Sequence, residues 1–283
     1  MGSQVLLLVR LVSLLVLFAL FILVGFSWFR WRFEGVFVAS LVVWSPVLFN
    51  FVFWVLGASG SGQVLRLTLY SLFIWLFAVW RRNCEIGLWD VPLILTVWLP
   101  AEFGLLGGAK LIAGFDMGDL APLVSGCYGF IFLRGFNVGI DYLKIDWKAA
   151  LKWFLVCGAL LVPLGLAIGF IQPGLRRLEY FPVSLILIYI GVGLPEEILF
   201  RGVIHELCER VLKAGVSAGI VSSIIFGMAH LNNAPAPNFR YAFLAGIAGY
   251  LYLKAYLEGN RNVATPALTH ALVDTVWSHL FSG

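Results

Sequence analysis

Three short segments in the last third of the chain carry residue types that can do hydrolytic chemistry. The first is Gly193-Leu-Pro-Glu196-Glu197-Ile-Leu-Phe-Arg201-Gly202, where two adjacent carboxylates follow the apolar run from Phe181 to Leu194. Pro195 suits the first turn of a helix, where the helix dipole favours acids. Arg201 stands four residues after Glu197, on the same helical face, so the two can pair. The second is Phe226-Gly-Met-Ala-His230, with the histidine at the end of the apolar run Gly215 to Leu231. The third is His270-Ala-Leu-Val-Asp274, whose spacing puts an imidazole and a carboxylate on one helix face.

Each segment alone has a structural reading: acids at the wet start of a helix, a satisfied histidine, a local His–Asp hydrogen bond. Together they are a carboxylate and two imidazoles on three helices that a bundle can aim at one interior point. Glutamate can take a proton from water, and histidine can orient that water or stabilise an oxyanion. Charge inside a membrane segment is costly and usually faces the bundle interior or an aqueous cavity. All four histidines (His205, His230, His270, His279) follow residue 200, so chemistry is expected in the C-terminal part.

The elements that must position these residues are membrane helices. Of the 283 residues 61% are hydrophobic and 12% charged, about half the charge of a soluble domain, and the mean hydropathy is +0.96. The 24 Phe and 11 Trp fit a lipid-facing surface with aromatic belts. Apolar runs at roughly 5–28, 35–57, 66–81, 88–108, 120–135, 149–171, 181–202, 215–231, 239–257 and 263–281 predict about eight to ten membrane segments. Helices rather than barrel strands are expected, because the runs are long and apolar on all faces. The fold class is therefore all-α, a polytopic transmembrane helical bundle.

Gln4 to Trp28 reads as a first membrane helix, since it is too long for a signal-peptide core and is followed by Arg30 and Arg32. Leu6 stands where a myristoylation signal needs Ser or Thr. Arg30/Arg32, Arg81/Arg82 and Arg176/Arg177 do not fall on one side under a simple count of spans, which leaves the orientation open. Residues 136–148, with Asp141, Lys144, Asp146 and Lys148, read as an exposed connector, and Asn232 to Asn238 as a break between spans. Cys84, Cys127, Cys157 and Cys208 show no CxxC or metal spacing and read as small packing residues. The net charge of +4 is scattered, with no basic run to track a phosphate backbone, which argues against a nucleic-acid partner.

The order EExxxR, FxxxH, HxxxN/D resembles the motif set of the CAAX-protease and bacteriocin-processing (CPBP) family of intramembrane proteases, which includes the type II CAAX prenyl endopeptidases. The resemblance covers roughly residues 149–283, a CPBP-like catalytic core. Residues 1–148 resemble nothing comparable and are taken as an N-terminal transmembrane extension. The resemblance implies a multi-pass protein of a bacterial or archaeal inner membrane that cleaves a membrane-anchored protein or peptide. It makes Glu196 the general base, with His230 holding the same water. Glu197 and Arg201 support the site by pairing. His270 and Asp274 stabilise the oxyanion or complete the polar cluster.

Many members have Asn where this chain has Asp274. An amide can donate a hydrogen bond and an ionised carboxylate cannot, so either Asp274 is held protonated or it orients His270. No cofactor is expected, although Glu196, His230 and His270 are zinc ligands by type and a zinc site is the alternative. His205 and His279 fall outside the motifs and are expected to be structural. Two other functions compete: a non-catalytic immunity or binding protein that keeps the fold, and a proton-coupled transporter that uses the acids and histidines as a relay.

Overall fold

The computed structural model describes residues 36–55, 57, 59–106, 117–136, 138–176 and 178–282, with side chains omitted for 117–120 and 282. The first membrane helix expected over 5–28, and the arginines at 30 and 32, lie outside the described residues. The regular elements among the described residues are helices, apart from a two-residue antiparallel pairing of Gln172–Pro173 with Phe281–Ser282, and the chain divides into two compact units, residues 1–137 and 138–283. The all-α reading of the sequence is the observed fold.

The first unit holds α1 (Val36–Val55), α2 (Ser61–Trp80), α3 (Val91–Glu102) and α4 (Met117–Arg134). The α1 and α2 helices are 20 residues each and are long and apolar enough to cross a membrane. Fully buried within this unit, Arg134 places Nε 2.7 Å from Asp90 Oδ1 and Nη2 3.0 Å from Asp90 Oδ2. The same guanidinium donates to the carbonyls of Arg81, Cys84 and Glu85, clasping the end of α4 to the turn between α2 and α3. All five of its donors are directed at acceptors, as an arginine in an apolar interior requires.

The second unit holds α5 (Trp147–Ala167), α6 (Leu178–Leu212), α7 (Gly215–Ala229), α8 (Phe239–Glu258) and α9 (Ala264–Leu280). The 21-residue α5 and the 35-residue α6 are also long and apolar enough to cross a membrane. Outward side chains such as Leu155, Ile186, Val216 and Phe243 are apolar and exposed, the surface a bilayer solvates. With these helices and this composition, the chain is a membrane protein.

The connector at 136–148 follows its sequence reading in its second part, where Lys144, Asp146 and Lys148 are exposed, and differs from it in the first. Val138, Ile140 and Asp141 are buried, because Asn262 donates to the carbonyls of Asp141 (2.8 Å) and Lys144 (3.0 Å), while Gly139 pairs with the backbone of Arg261 and Val263. Its charges suggested solvent; its backbone carbonyls instead find donors in the α8–α9 turn. The segment ends at Asp146, whose carboxylate caps α5 by accepting from the amide of Ala149 at 3.0 Å.

Pro195 also differs. It lies inside α6 rather than at a helix start. Two π-helical stretches, Tyr189–Gly193 and Ile198–His205, flank the short α-helical piece Leu194–Glu197. Proline offers no N–H to a carbonyl one turn back. The helix absorbs the loss by widening, with the Leu194 amide bonding to the Tyr189 carbonyl. The two acids thus sit mid-helix, within the apolar run.

Glycines set how closely the helices of this unit approach. A Cβ on Gly193 of α6 would stand 2.7 Å from the Ala267 carbonyl oxygen of α9, and one on Gly227 of α7 would stand 2.5 Å from the Ala242 oxygen of α8. A Cβ on Gly249 of α8 would stand 2.9 Å from Phe226 of α7. Small residues at these crossings let backbones pack without side chains between them. Gly227→Ala is therefore expected to cost about 1–3 kcal/mol through forced separation of α7 and α8. Its thermal unfolding midpoint in detergent should fall clearly below wild type; an unchanged midpoint would show that the crossing has slack.

Candidate active site

The helix contacts that follow from these glycines place the three sequence segments side by side. Glu197 is fully buried, and its carboxylate takes three contacts. Arg201 Nη1 donates to Oε1 at 3.0 Å, Arg201 Nε lies 2.9 Å from Oε2, and His270 Nδ1 reaches Oε1 at 3.0 Å. The close passage of Gly193 against Ala267 is what lets α9 deliver His270 to this carboxylate.

Arg201 is held on every side. Its Nη2 donates to the Gly249 carbonyl at 2.7 Å, and its guanidinium carbon lies 4.6 Å from the ring centre of Phe226 and 5.5 Å from that of Tyr252. Cation–π contact in a desolvated setting adds to the ion pair. Phe226, which the sequence offered only as the motif residue preceding His230, is thus part of the guanidinium's cradle.

His270 bridges two carboxylates. Nδ1 faces Glu197 and Nε2 lies 3.3 Å from Asp274 Oδ2. Both contacts are satisfied when both nitrogens carry a proton. The ring stacks on Tyr252, with centres 4.7 Å apart and planes at 22°. Asp274 meets its helical neighbour as the four-residue spacing predicts, and its side chain remains a quarter exposed.

His230 is arranged differently. Its Nδ1 lies 2.8 Å from the carbonyl oxygen of Phe226, which can only accept, so Nδ1 carries a proton and Nε2 is left for another partner. The ring is wedged between Phe226 and Tyr241, with centres 4.8 Å from each.

Glu196 is the carboxylate without a partner. Its Oε2 is buried and makes no hydrogen bond, while its charge interacts with His230, His270, Asp274 and Glu197. Glu197 and Asp274 are committed to Arg201 and His270; Glu196 is committed to neither.

Against this cluster lies a cavity of about 100 Å³ between α5, α7, α8 and α9, room for several waters. His230, His270 and Asp274 contribute its polar wall, whereas Glu196, Glu197 and Arg201 stand outside its lining. The rest is apolar and aromatic, including Phe154, Phe170, Tyr241, Tyr252 and Trp277. On α8 the lining residues Tyr241, Leu244, Ala245, Ala248 and Tyr252 recur at helical spacing, one face of the helix. That spacing was present in the sequence, where it was taken for part of an apolar span.

Among the described residues no three His, Cys, Asp or Glu side chains are grouped to hold a metal ion. Both nitrogens of His270, which such a site would need, already face carboxylates.

His205 and His279 lie apart from the cavity. His205 is buried with Nδ1 3.2 Å from the Ser222 hydroxyl and Nε2 3.4 Å from Glu209, and His279 places Nε2 2.9 Å from the Ser184 hydroxyl. Cys157 is a free thiol in the cavity wall, and Cys127 is a free thiol buried in the first unit.

Comparison with protein families gives one decisive match: residues 178–276 fit the family described as type II CAAX prenyl endopeptidase Rce1-like. This stretch is an Rce1-like domain. It contains all seven motif residues, from Glu196 to Asp274, whose pattern resembles the CAAX-protease family. No curated protein and no solved structure matches the chain. The Rce1-like match spans α6 to most of α9.

Proposed function

We propose that the protein is an intramembrane endopeptidase that hydrolyses a peptide bond of a membrane-associated protein or peptide with a water activated by Glu196. The observation that carries the reading is a carboxylate, Glu196, whose buried Oε2 has no hydrogen-bond partner, in a cluster whose His230, tied by Nδ1 to the Phe226 carbonyl, lines a mostly apolar cavity.

The water bridges Glu196 and His230 Nε2. As its oxygen bonds to the scissile carbonyl carbon, Glu196 takes one of its protons and the carbonyl electrons move onto oxygen. When the tetrahedral intermediate collapses, the carbon–nitrogen bond breaks, the carbonyl re-forms, and the leaving nitrogen receives the proton held by Glu196. One fragment ends in a new carboxyl group and the other begins with a new amine. Glu197 and Arg201 fix α6 against α7 and α8, and His270 ties Glu197 to Asp274. These are positioning residues. The catalytic groups are Glu196 and His230, and no step requires a metal.

The apolar cavity wall suits a substrate segment drawn from lipid, and a bilayer-anchored chain is the partner expected. The N-terminal residues 1–148 act as a membrane extension outside the chemistry, and the cell membrane of a bacterium or archaeon is the proposed location.

Comparing membrane-protein termini between wild-type and Glu196→Ala cells tests the function. A membrane protein that stays uncleaved only in the variant identifies the substrate. Identical termini, with both proteins equally expressed, would transfer the reading to a binding or immunity protein.

Asp274→Asn is expected to retain most activity, because an amide oxygen can still accept from His270. Asp274→Ala, which frees His270 Nε2 and opens the cavity wall, should lose about tenfold to a hundredfold in rate, in line with other losses of an orienting partner. Equal and complete loss in both variants would show instead that the carboxylate itself is essential.

A further inference from the structure

The hydrolysis proposed above develops a negative charge on the carbonyl oxygen, and the assigned residues leave that charge without a donor. His270 has both nitrogens directed at carboxylates. His230 spends its Nδ1 N–H on the Phe226 carbonyl. An ionised Asp274 only accepts. Arg201 is enclosed by Glu197, Gly249, Phe226 and Tyr252 and stands outside the cavity lining.

Tyr241 supplies what is missing. Its ring lines the cavity and meets the His230 ring edge-on at 4.8 Å. Its hydroxyl makes no hydrogen bond to any described residue, and it is not among the buried polar atoms sealed off without a partner. The residue shares the cavity wall with His230, His270 and Asp274. The ring is fixed from behind by Trp277 and Phe170, each with its centre 5.3 Å away. The backbone is fixed too: Asn238 caps α8 by accepting from the Tyr241 amide at 3.0 Å. A phenol held this firmly, with its O–H directed at no protein acceptor, is a preorganised donor.

We infer that Tyr241 is a catalytic residue, its hydroxyl donating to the oxyanion of the tetrahedral intermediate. The inference rests on the endopeptidase reading. No proton is transferred in this step; the O–H remains on Tyr241 while the carbonyl oxygen gains and then loses its charge.

Tyr252 is the natural control. It also lines the cavity with a hydroxyl that bonds to no described residue, but its ring is stacked on His270 and lies beneath Arg201, away from the His230 ring.

The test compares Tyr241→Phe, Tyr252→Phe and Glu196→Gln for the rate at which cleaved termini appear in the membrane fraction after a pulse label, normalised to folded protein. Phenylalanine keeps the ring and its packing, and the thermal midpoint of each variant in detergent checks the fold. Tyr241→Phe is expected to slow cleavage about 10²–10³-fold, the loss typical of one oxyanion donor, and at least about tenfold more than Tyr252→Phe does. In the Tyr241→Phe background, Asp274→Asn is expected to recover at least tenfold, because the amide nitrogen offers a new donor at the cavity wall. A merely structural tyrosine gives no such rescue.

Cleavage by Tyr241→Phe within about twofold of wild type, with Glu196→Gln inactive, would overturn the inference and leave the endopeptidase intact. So would a slow Tyr241→Phe whose rate Asp274→Asn does not raise. Termini unchanged in Glu196→Gln would remove the endopeptidase reading and this inference with it.

Discussion

Glu196→Gln is expected to lower the rate of peptide-bond cleavage by about 10³–10⁴-fold, the upper range for loss of a general base, while leaving the protein folded. Glutamine has nearly the shape of glutamate, and Glu196 makes no hydrogen bond or ion pair that the change would break. Little stability should therefore be lost. The neighbouring Glu197 offers the contrast. Its carboxylate is the hub for Arg201 and His270, so Glu197→Gln should cost both stability and activity. Cleavage rates of the two variants, each divided by the amount of folded protein, separate a base from a hub. If Glu196→Gln retained cleavage within tenfold of wild type, the base would have to be sought elsewhere in the cluster.

The second large effect is expected at Arg201. Arg201→Ala removes the guanidinium but leaves Glu197 buried, with His270 as its only remaining cation. Breaking one side of a buried ion pair costs about 3–5 kcal/mol. The change also deletes the hydrogen bond to Gly249 and the ring contacts to Phe226 and Tyr252 that join α6 to α7 and α8. The unfolding midpoint in detergent should drop steeply, and cleavage should fall with it. Pairing Arg201→Met with Glu197→Gln should recover part of the lost stability, since the uncompensated charge is gone. A single variant as stable as wild type would mean that water or lipid headgroups reach Glu197.

Much of this was legible in the sequence because helical spacing is local. The four residues from Glu197 to Arg201 and from His270 to Asp274 fix which side chains meet within a helix, and both pairs meet as expected. Composition alone was enough for an all-helical membrane bundle. The contacts between helices were less legible. The hydrogen bond from His270 to Glu197 depends on how closely Gly193 lets α9 approach, a property of two segments some seventy residues apart.

Pro195 misled for a physical reason. A proline after an apolar run marks a helix start in most settings, but in α6 two π-helical stretches accommodate it and carry the helix through. Tyr241 and Tyr252 went unassigned because aromatic residues are common in membrane helices, and nothing local separates a cavity-lining ring from a belt residue. Their separation of three helical turns, with Ala245 and Ala248 between, was the available signal. In the connector at 136–148 the exposed charges Lys144, Asp146 and Lys148 were legible, but the buried part from Val138 to Asp141 was not, because the donors of Asn262 that hold its backbone are not visible in sequence.

The central claim is that the chain itself hydrolyses a peptide bond with water activated at Glu196. The most direct measurement is cleavage of the substrate identified in cells by purified protein in liposomes, run in ¹⁸O-labelled water and read by mass spectrometry. Wild-type protein should yield two complementary fragments, with one labelled oxygen in the new carboxyl terminus, and Glu196→Gln should yield none at matched times. Fragments formed equally by the Gln variant, or a substrate left whole by folded wild-type protein, would contradict the account.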